Sequence, residues 1–134
     1  MMIEGVKIYD QEAHRDSRGF LLNLAERKRV GEKPFGHSYV VASNPGVVRG
    51  NHYHKWSTEW FCVIKGKGRL ALKKGGQKVY LDLDDVAFKV VEIPPGVTHA
   101  IKNIADETML MFAYTDKVFD PNNTDTYPES IDFN

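Results

Sequence analysis

Apolar and polar positions alternate along this chain in short runs, and turn residues interrupt them at regular intervals. Residues 38–43, 47–54, 59–65, 68–73, 78–81, 87–93, 98–103 and 107–114 are rich in Val, Ile, Phe, Tyr and Thr and read as β-strands. Many short strands at such spacing predict an all-β barrel or sandwich. The one helix candidate is residues 11–15, a single turn. Lys74-Gly75-Gly76-Gln77 and Lys65-Gly66-Lys67-Gly68 read as hairpin turns that place glycine where the backbone needs positive φ. Residues 120–134 read as an irregular polar strap. No repeat, low-complexity segment or linker divides the chain, so residues 1–134 read as one domain.

Strand alternation sorts the side chains of such a barrel. His52 and His54, at i and i+2, share a face, with Gly50 on their side and Arg49, Asn51 and Tyr53 on the other. If Glu59 points inward, Phe61 and Val63 follow it, and Trp60, Cys62 and Ile64 take the outer face. That outer face is apolar and needs cover, from a second sheet or from a partner subunit, which makes a homodimer the expected assembly.

Two motifs within this framework carry chemistry. Gly46, His52, His54, Glu59 and Gly66 are spaced G-x5-H-x-H-x4-E-x6-G, and Pro94, Gly96, His99 and Asn103 are spaced P-x-G-x2-H-x3-N. Lys55, Trp56 and Ser57 can turn the chain so that Glu59 closes on the point that His52 and His54 face. Pro94-Pro95-Gly96 is a turn signal that brings His99 in on a new strand. Three imidazoles and one carboxylate suit one divalent transition ion: Zn, Mn, Fe, Ni, Co or Cu. The competing reading is a metal-free site in which these histidines serve as acid or base. Asn103 is expected to support the His99 loop rather than to touch substrate.

Composition narrows the setting. The 18 basic and 18 acidic residues cancel, so no strong field favours nucleic acid or an anionic membrane, and an anionic ligand must be held by local residues. A single cysteine, Cys62, excludes an internal disulfide framework and fits a reducing compartment. Its apolar surroundings suggest a buried filler. With no basic-then-apolar leader and no apolar stretch of spanning length, a soluble cytoplasmic protein is expected.

Both motifs match the two signatures of the cupin superfamily, so the resemblance implies a cupin fold, a double-stranded β-helix or jelly-roll barrel. Arg49-Gly50-Asn51-His52 resembles the R-G-x-H stretch of the dTDP-4-dehydrorhamnose 3,5-epimerases and the related dTDP-sugar ketoisomerases. Asp16-Ser17-Arg18-Gly19-Phe20 resembles their N-terminal D-x-R-G segment, and Tyr114-Thr115-Asp116 the end of their late strand. Residues 49–66, with Phe119-Asp120-Pro121 and Asp125-Thr126-Tyr127, look still more like the cupin domain of capsular-polysaccharide sugar-nucleotide enzymes. That likeness implies zinc before the other metals and a nucleotide-linked 4-keto sugar as substrate. In the metal-free rhamnose-pathway enzymes the counterpart of His52 is the catalytic base; here glutamine gives way to His54 and the late tyrosine to Phe112.

Epimerisation next to a ketone needs a base, and a metal-bound imidazole nitrogen cannot take the proton. His37, Tyr39 and Tyr114 are then the candidate bases, with His52 in that role if the site is metal-free. Arg18 and Arg49 are candidates for a diphosphate, since guanidinium groups bind phosphate bidentately, and Trp56 can stack on a base or sugar ring. Three functions follow as expectations. The first is a sugar-nucleotide epimerase or isomerase. The others are a different metal-dependent cupin enzyme, such as a dioxygenase or small-sugar isomerase, and a noncatalytic sugar-binding cupin.

Overall fold

The computed structural model describes residues 2–24, 26 and 34–133. Twelve strands follow in order: β1 (Lys7–Asp10), β2 (His14–Asp16), β3 (Gly19–Leu21), β4 (His37–Ser43), β5 (Val48–Tyr53), β6 (Glu59–Lys65), β7 (Lys67–Lys74), β8 (Gln77–Asp84), β9 (Lys89–Ile93), β10 (Thr98–Asn103), β11 (Met109–Thr115) and β12 (Tyr127–Pro128). They form two five-stranded antiparallel sheets, β1-β9-β6-β11-β4 and β12-β5-β10-β7-β8, and a small β2-β3 hairpin. Each of the eight stretches expected from the sequence holds a strand, and there is no helix among the described residues. No helix is long and apolar enough to cross a membrane.

The core lies between the sheets, as alternation requires. Phe61, Val63, Val91, Ile93, Met109 and Met111 of the first sheet meet Leu70, Leu72, Leu83 and Ile101 of the second, all nearly solvent-free. Burying each such side chain contributes about 1.5–3 kcal/mol. The opposite face of β6 carries Trp60 and Cys62, packed with Phe88, Val90 and Tyr114. The cover expected for this face comes from within the chain. Tyr9, Ala13, Leu22 and Leu24, from the chain's own N-terminal segment, cover that face and leave Trp60 only 1% exposed.

Three local expectations differ from the structure. Residues 11–15 form no helix, because Arg15 is claimed by β2, which pairs with β3 across a turn where the Asp16 carboxylate accepts the Arg18 amide at 2.8 Å. The Lys65–Gly68 turn is no hairpin: β6 and β7 belong to different sheets, and Gly66, at φ 89°, makes the corner between them. Lys74 and Gln77, by contrast, do close the β7-β8 hairpin. The C-terminal strap is partly regular. Tyr127 pairs with Tyr53 and Pro128 with His52, and beyond them Ile131 and Phe133 pack on Ala71 and Ala100 over the outer face of the second sheet.

One irregularity positions the site. His52 pairs with His99, but Gly50 pairs with Ala100 and Arg49 with Ile101, so Asn51 is an extra residue, a β-bulge. Gly50 and Asn51 both have positive φ, 97° and 58°. The Asn51 side chain accepts the Ile131 amide at 2.9 Å and its carbonyl accepts the Glu129 amide at 2.9 Å, so the C-terminal segment pins the bulge. The bulge reverses parity: Arg49 lines the same interior cavity as His52 and Phe61, not the opposite face that uninterrupted alternation implies. A Cβ on Gly50 would stand 2.7 Å from the His99 carbonyl oxygen. Gly50→Ala is therefore expected to cost at least about 2 kcal/mol through backbone strain and displacement of β10, read as a lowered midpoint in thermal or urea unfolding.

Candidate metal centre and cavity

Three imidazoles converge between the sheets. His52 on β5 and His99 on β10 are cross-strand partners, and His54 follows β5 by one residue. One nitrogen from each lies within 4.8 Å of the others. Backbone groups decide which nitrogen that is. The His99 Nδ1 lies 3.1 Å from the Val97 carbonyl oxygen, the His54 Nδ1 bonds the Asp125 carbonyl, and His52 bonds the backbone of Gly50. A carbonyl only accepts, so Nδ1 of His99 and His54 carries the proton and Nε2 is turned inward. The His99 Nε2 is buried with no hydrogen-bond partner.

Glu59, the first residue of β6 and 5% exposed, stands beside this trio with its carboxylate against the His54 Nε2. Its other oxygen accepts the Tyr39 hydroxyl at 3.3 Å. Burial alone would raise the Glu59 pKa, but the three nearby histidines, His54 foremost through its hydrogen bond, hold it below the usual carboxylate range. Burial likewise pulls His54 down, yet the bond and charge of Glu59 outweigh it and leave its pKa raised. A positive charge thus belongs between Nε2 and the carboxylate, and without metal a proton on His54 supplies it. His52 is lowered by burial and by His54, and burial takes His99 down to about 4. Tyr39 is pushed up by burial and by the Glu59 charge, which makes it a donor rather than a base.

Two cavities flank the trio and share Tyr39 and His52. The outer one, about 450 Å³, opens to solvent past Trp56, Lys117, Val118 and Phe119. The inner one, about 220 Å³, is walled by Val41, Phe61, Ile101 and Met111, with Arg49 at its side. His37 enters the outer cavity from the start of β4. Its Nδ1 lies 3.1 Å from both the Lys117 carbonyl and the Thr115 hydroxyl; since that hydroxyl donates to the same carbonyl at 2.7 Å, the imidazole proton sits on Nδ1 and the ring's lone pair on Nε2.

The structure thus brings His37, Tyr39, His52, His54, Trp56 and Glu59 around the outer cavity, with His99 joining the trio from the side of the inner one, and leaves other candidates outside. Tyr114 lies on the outer face of its sheet, 4.6 Å from the Trp60 ring, because its cross-strand partner is Trp60 and not Glu59. Arg18 is on the exposed β2-β3 hairpin, paired with Asp16 at 2.6 Å, and does not line either cavity. Arg49 lines the inner cavity but donates to the Ser43 hydroxyl at 2.9 Å and the Ala42 carbonyl at 3.2 Å. Asn103 supports the 104–107 turn, donating to Glu107 and accepting from Ala105, rather than the His99 loop.

The residue that sequence reasoning missed is Asp125. Its carboxylate accepts the amides of Lys55, Trp56 and Ser57 at 2.8–2.9 Å and the Ser57 hydroxyl at 3.1 Å. Burial raises its pKa, but those bonds bring it below the usual range. The sequence shows it only within the family-like Asp125-Thr126-Tyr127 segment and as an acid among turn formers, a pattern common to solvated loops, and neither gives it a role.

An antiparallel two-sheet barrel with histidines converging in its lumen is a cupin fold, and known proteins share it. Residues 14–127 match the family described as polysaccharide biosynthesis C-terminal domain, and the chain belongs to that family. It is 33% identical over 125 residues to the UDP-2-acetamido-2,6-beta-L-arabino-hexul-4-ose reductase of Pseudomonas aeruginosa, covering 92% of this chain and 32% of that protein. The chain therefore spans about a third of that relative. The spore coat polysaccharide biosynthesis protein SpsL of Bacillus subtilis is 27% identical over 132 residues, with 92% of this chain and 87% of that one covered. The crystal structure of a dTDP sugar isomerase from Desulfovibrio desulfuricans superposes with a TM-score of 0.87 at 19% identity, covering 98% of this chain and 87% of that one, a likeness of fold.

The titrations set a pH dependence for the metal-free protein. Unfolded, His99 takes a proton near pH 6.5; folded, it refuses one until about pH 4. Between those values the unfolded chain binds more protons, so stability falls as pH drops, by up to about 1.4 kcal/mol per unit from His99 alone. His52 acts in the same direction. The raised pKa of His54 acts only above this window, where its stabilising charge is lost as pH rises. Urea unfolding in chelator between pH 7 and 4.5 is expected to show the decline, and His99→Gln to flatten it.

Proposed function

We propose that residues 1–134 form one cupin domain that binds a single divalent ion, zinc first, through His52, His54 and His99 with Glu59 beside them, and acts as an epimerase or isomerase on a nucleotide-linked 4-keto sugar in polysaccharide synthesis. The observation that carries the metal reading is the buried, unpartnered Nε2 of His99 within 4.8 Å of the ligand nitrogens of His52 and His54. Neutral imidazoles with their second nitrogen bonded to the backbone are the donor set that Zn²⁺ takes up. The substrate class draws support from the names of the relatives, a hexul-4-ose reductase and a dTDP sugar isomerase.

A divalent ion held there supplies a Lewis acid for the keto oxygen. The chain's own residues do the rest. With its Nδ1 proton shared between the Lys117 carbonyl and the Thr115 hydroxyl, His37 presents Nε2 to the outer cavity and takes the proton from the carbon next to the ketone, and the enolate then regains a proton either from the His37 imidazolium or from solvent in the open cavity. Tyr39, kept protonated, donates toward Glu59 and fixes the carboxylate that steadies His54. The mouth, with Trp56, Phe119 and Lys117, offers ring faces and one cation to a nucleotide diphosphate, while Arg18 lines a separate pocket on its own hairpin.

Protein purified without an affinity metal is expected to carry close to one zinc per chain by plasma mass spectrometry, and His52→Ala or His99→Ala to lose it. In deuterated water the wild type is expected to wash deuterium into a 4-keto nucleotide sugar. His37→Gln keeps the metal and slows that exchange by about 100-fold or more, the worth of a positioned base. Full metal content with no exchange in the wild type would instead leave a sugar-binding cupin, and redox-active iron or copper in place of zinc would point to oxygen chemistry.

A further inference from the structure

The chain between His54 and Glu59 is held in an unusual way. It has four residues, Lys55 to Thr58, and all four of their backbone amides donate to carboxylates of one other segment. The first three go to Asp125, and Thr58 goes to the Asp116 oxygen at 2.9 Å. The Asp116 amide returns a bond to the Thr58 carbonyl at 3.3 Å. The stretch that runs from Asp116 through Asp125 to Thr126 supplies half of the residues that line the outer cavity, from Lys117 and Phe119 to Thr126. Asp125 also gives its own carbonyl to the His54 Nδ1. One residue thus fixes the turn that sets the spacing of His54 and Glu59, the tautomer and orientation of His54, and the end of the cavity wall.

We infer that Asp125 is a positioning residue that couples the 117–126 wall to the metal centre, so that occupying the centre orders the wall and ordering the wall tightens the centre. The inference rests on the metal site proposed above. Its physical basis is reciprocity: His54 cannot be drawn to an ion without drawing the Asp125 carbonyl with it, and whatever free energy passes one way must pass the other. Outer partners of a ligating histidine commonly carry 10–100-fold in metal affinity. A carboxylate that accepts four donors is costly to replace, because its removal frees three adjacent amides at once. Ligand held in the outer cavity presses on the same wall, so the coupling joins substrate binding to the geometry of His54.

The test uses the full chain and zinc alone as the probe. Amide hydrogen exchange of residues 117–126 is measured in wild-type protein with chelator and with zinc, and zinc affinity is measured by competition with a chromophoric chelator for wild type, Asp125→Asn and Asp125→Ala. Expected are slower exchange of residues 117–126 on zinc addition, a tenfold or greater loss of zinc affinity in Asp125→Ala, and partial recovery in Asp125→Asn, which keeps one acceptor oxygen. If zinc binds but exchange in 117–126 ignores it, the coupling is overturned by the wild type alone, whatever the variants do. Asp125→Ala that folds and binds zinc as tightly as wild type overturns it as well. Wild-type protein that takes up no zinc sinks the metal reading itself and the inference with it, an outcome distinct from the other two.

Discussion

A lone pair buried away from water must face a proton or a cation, and the interior of this barrel is built around three imidazoles placed under that demand. Backbone carbonyls at Val97 and Asp125 take the Nδ1 protons of His99 and His54, so the nitrogens left over have no choice of direction. His99 stays neutral, with its Nε2 lone pair unpartnered, while His54 shares a positive charge with Glu59. The two responses differ because of what lies within reach: His99 is fully buried, feels the Glu59 charge only through space and has the Phe61 ring edge at 5.4 Å, whereas the Glu59 carboxylate bonds His54 directly.

Much of the remaining architecture follows from bringing these rings together. His52 and His99 sit on neighbouring strands of one sheet, while Glu59 starts a strand of the other, so the site spans the gap between the sheets and depends on both keeping their separation. Large apolar side chains fill that gap below the rings, and the gap widens into the outer cavity above them. The outer faces are closed by the two ends of the chain. The N-terminal segment lies over Trp60 and Tyr114, and the C-terminal segment over Ala71 and Ala100. Neither end contributes a histidine, yet the C-terminal one holds the bulge at Asn51 and the turn after His54.

Eight strands and the grouping of His52, His54, Glu59 and His99 were legible because period-two alternation and turn chemistry are local signals. The misreadings were non-local. Arg49 was assigned to the wrong face because a bulge adds a residue to one strand only, and nothing in Arg49-Gly50-Asn51-His52 says which partner strand fails to match it, although adjacent Gly and Asn allow positive φ. Tyr114 looked available because its register against β6 is a pairing fact, and a shift of one residue would have turned it inward. Lys65–Gly68 was read as a hairpin since a tight glycine turn looks the same whether the next strand joins the same sheet or the facing one. Asp125 escaped because its partners lie about seventy residues away.

The neutrality of the chain gains meaning from this arrangement. With charges balanced overall, the field at the site is set by a few groups at short range, and those groups are sorted by depth. Lys117 stands at the mouth in water, the Glu59 charge lies deep against His54, and Arg49 occupies the side of the inner cavity with its donors already engaged. The mouth therefore presents Lys117 beside the exposed Asp120, with Asp125 already bonded to the amides of residues 55–57, and only a group that passes all of these reaches the Glu59 carboxylate against His54.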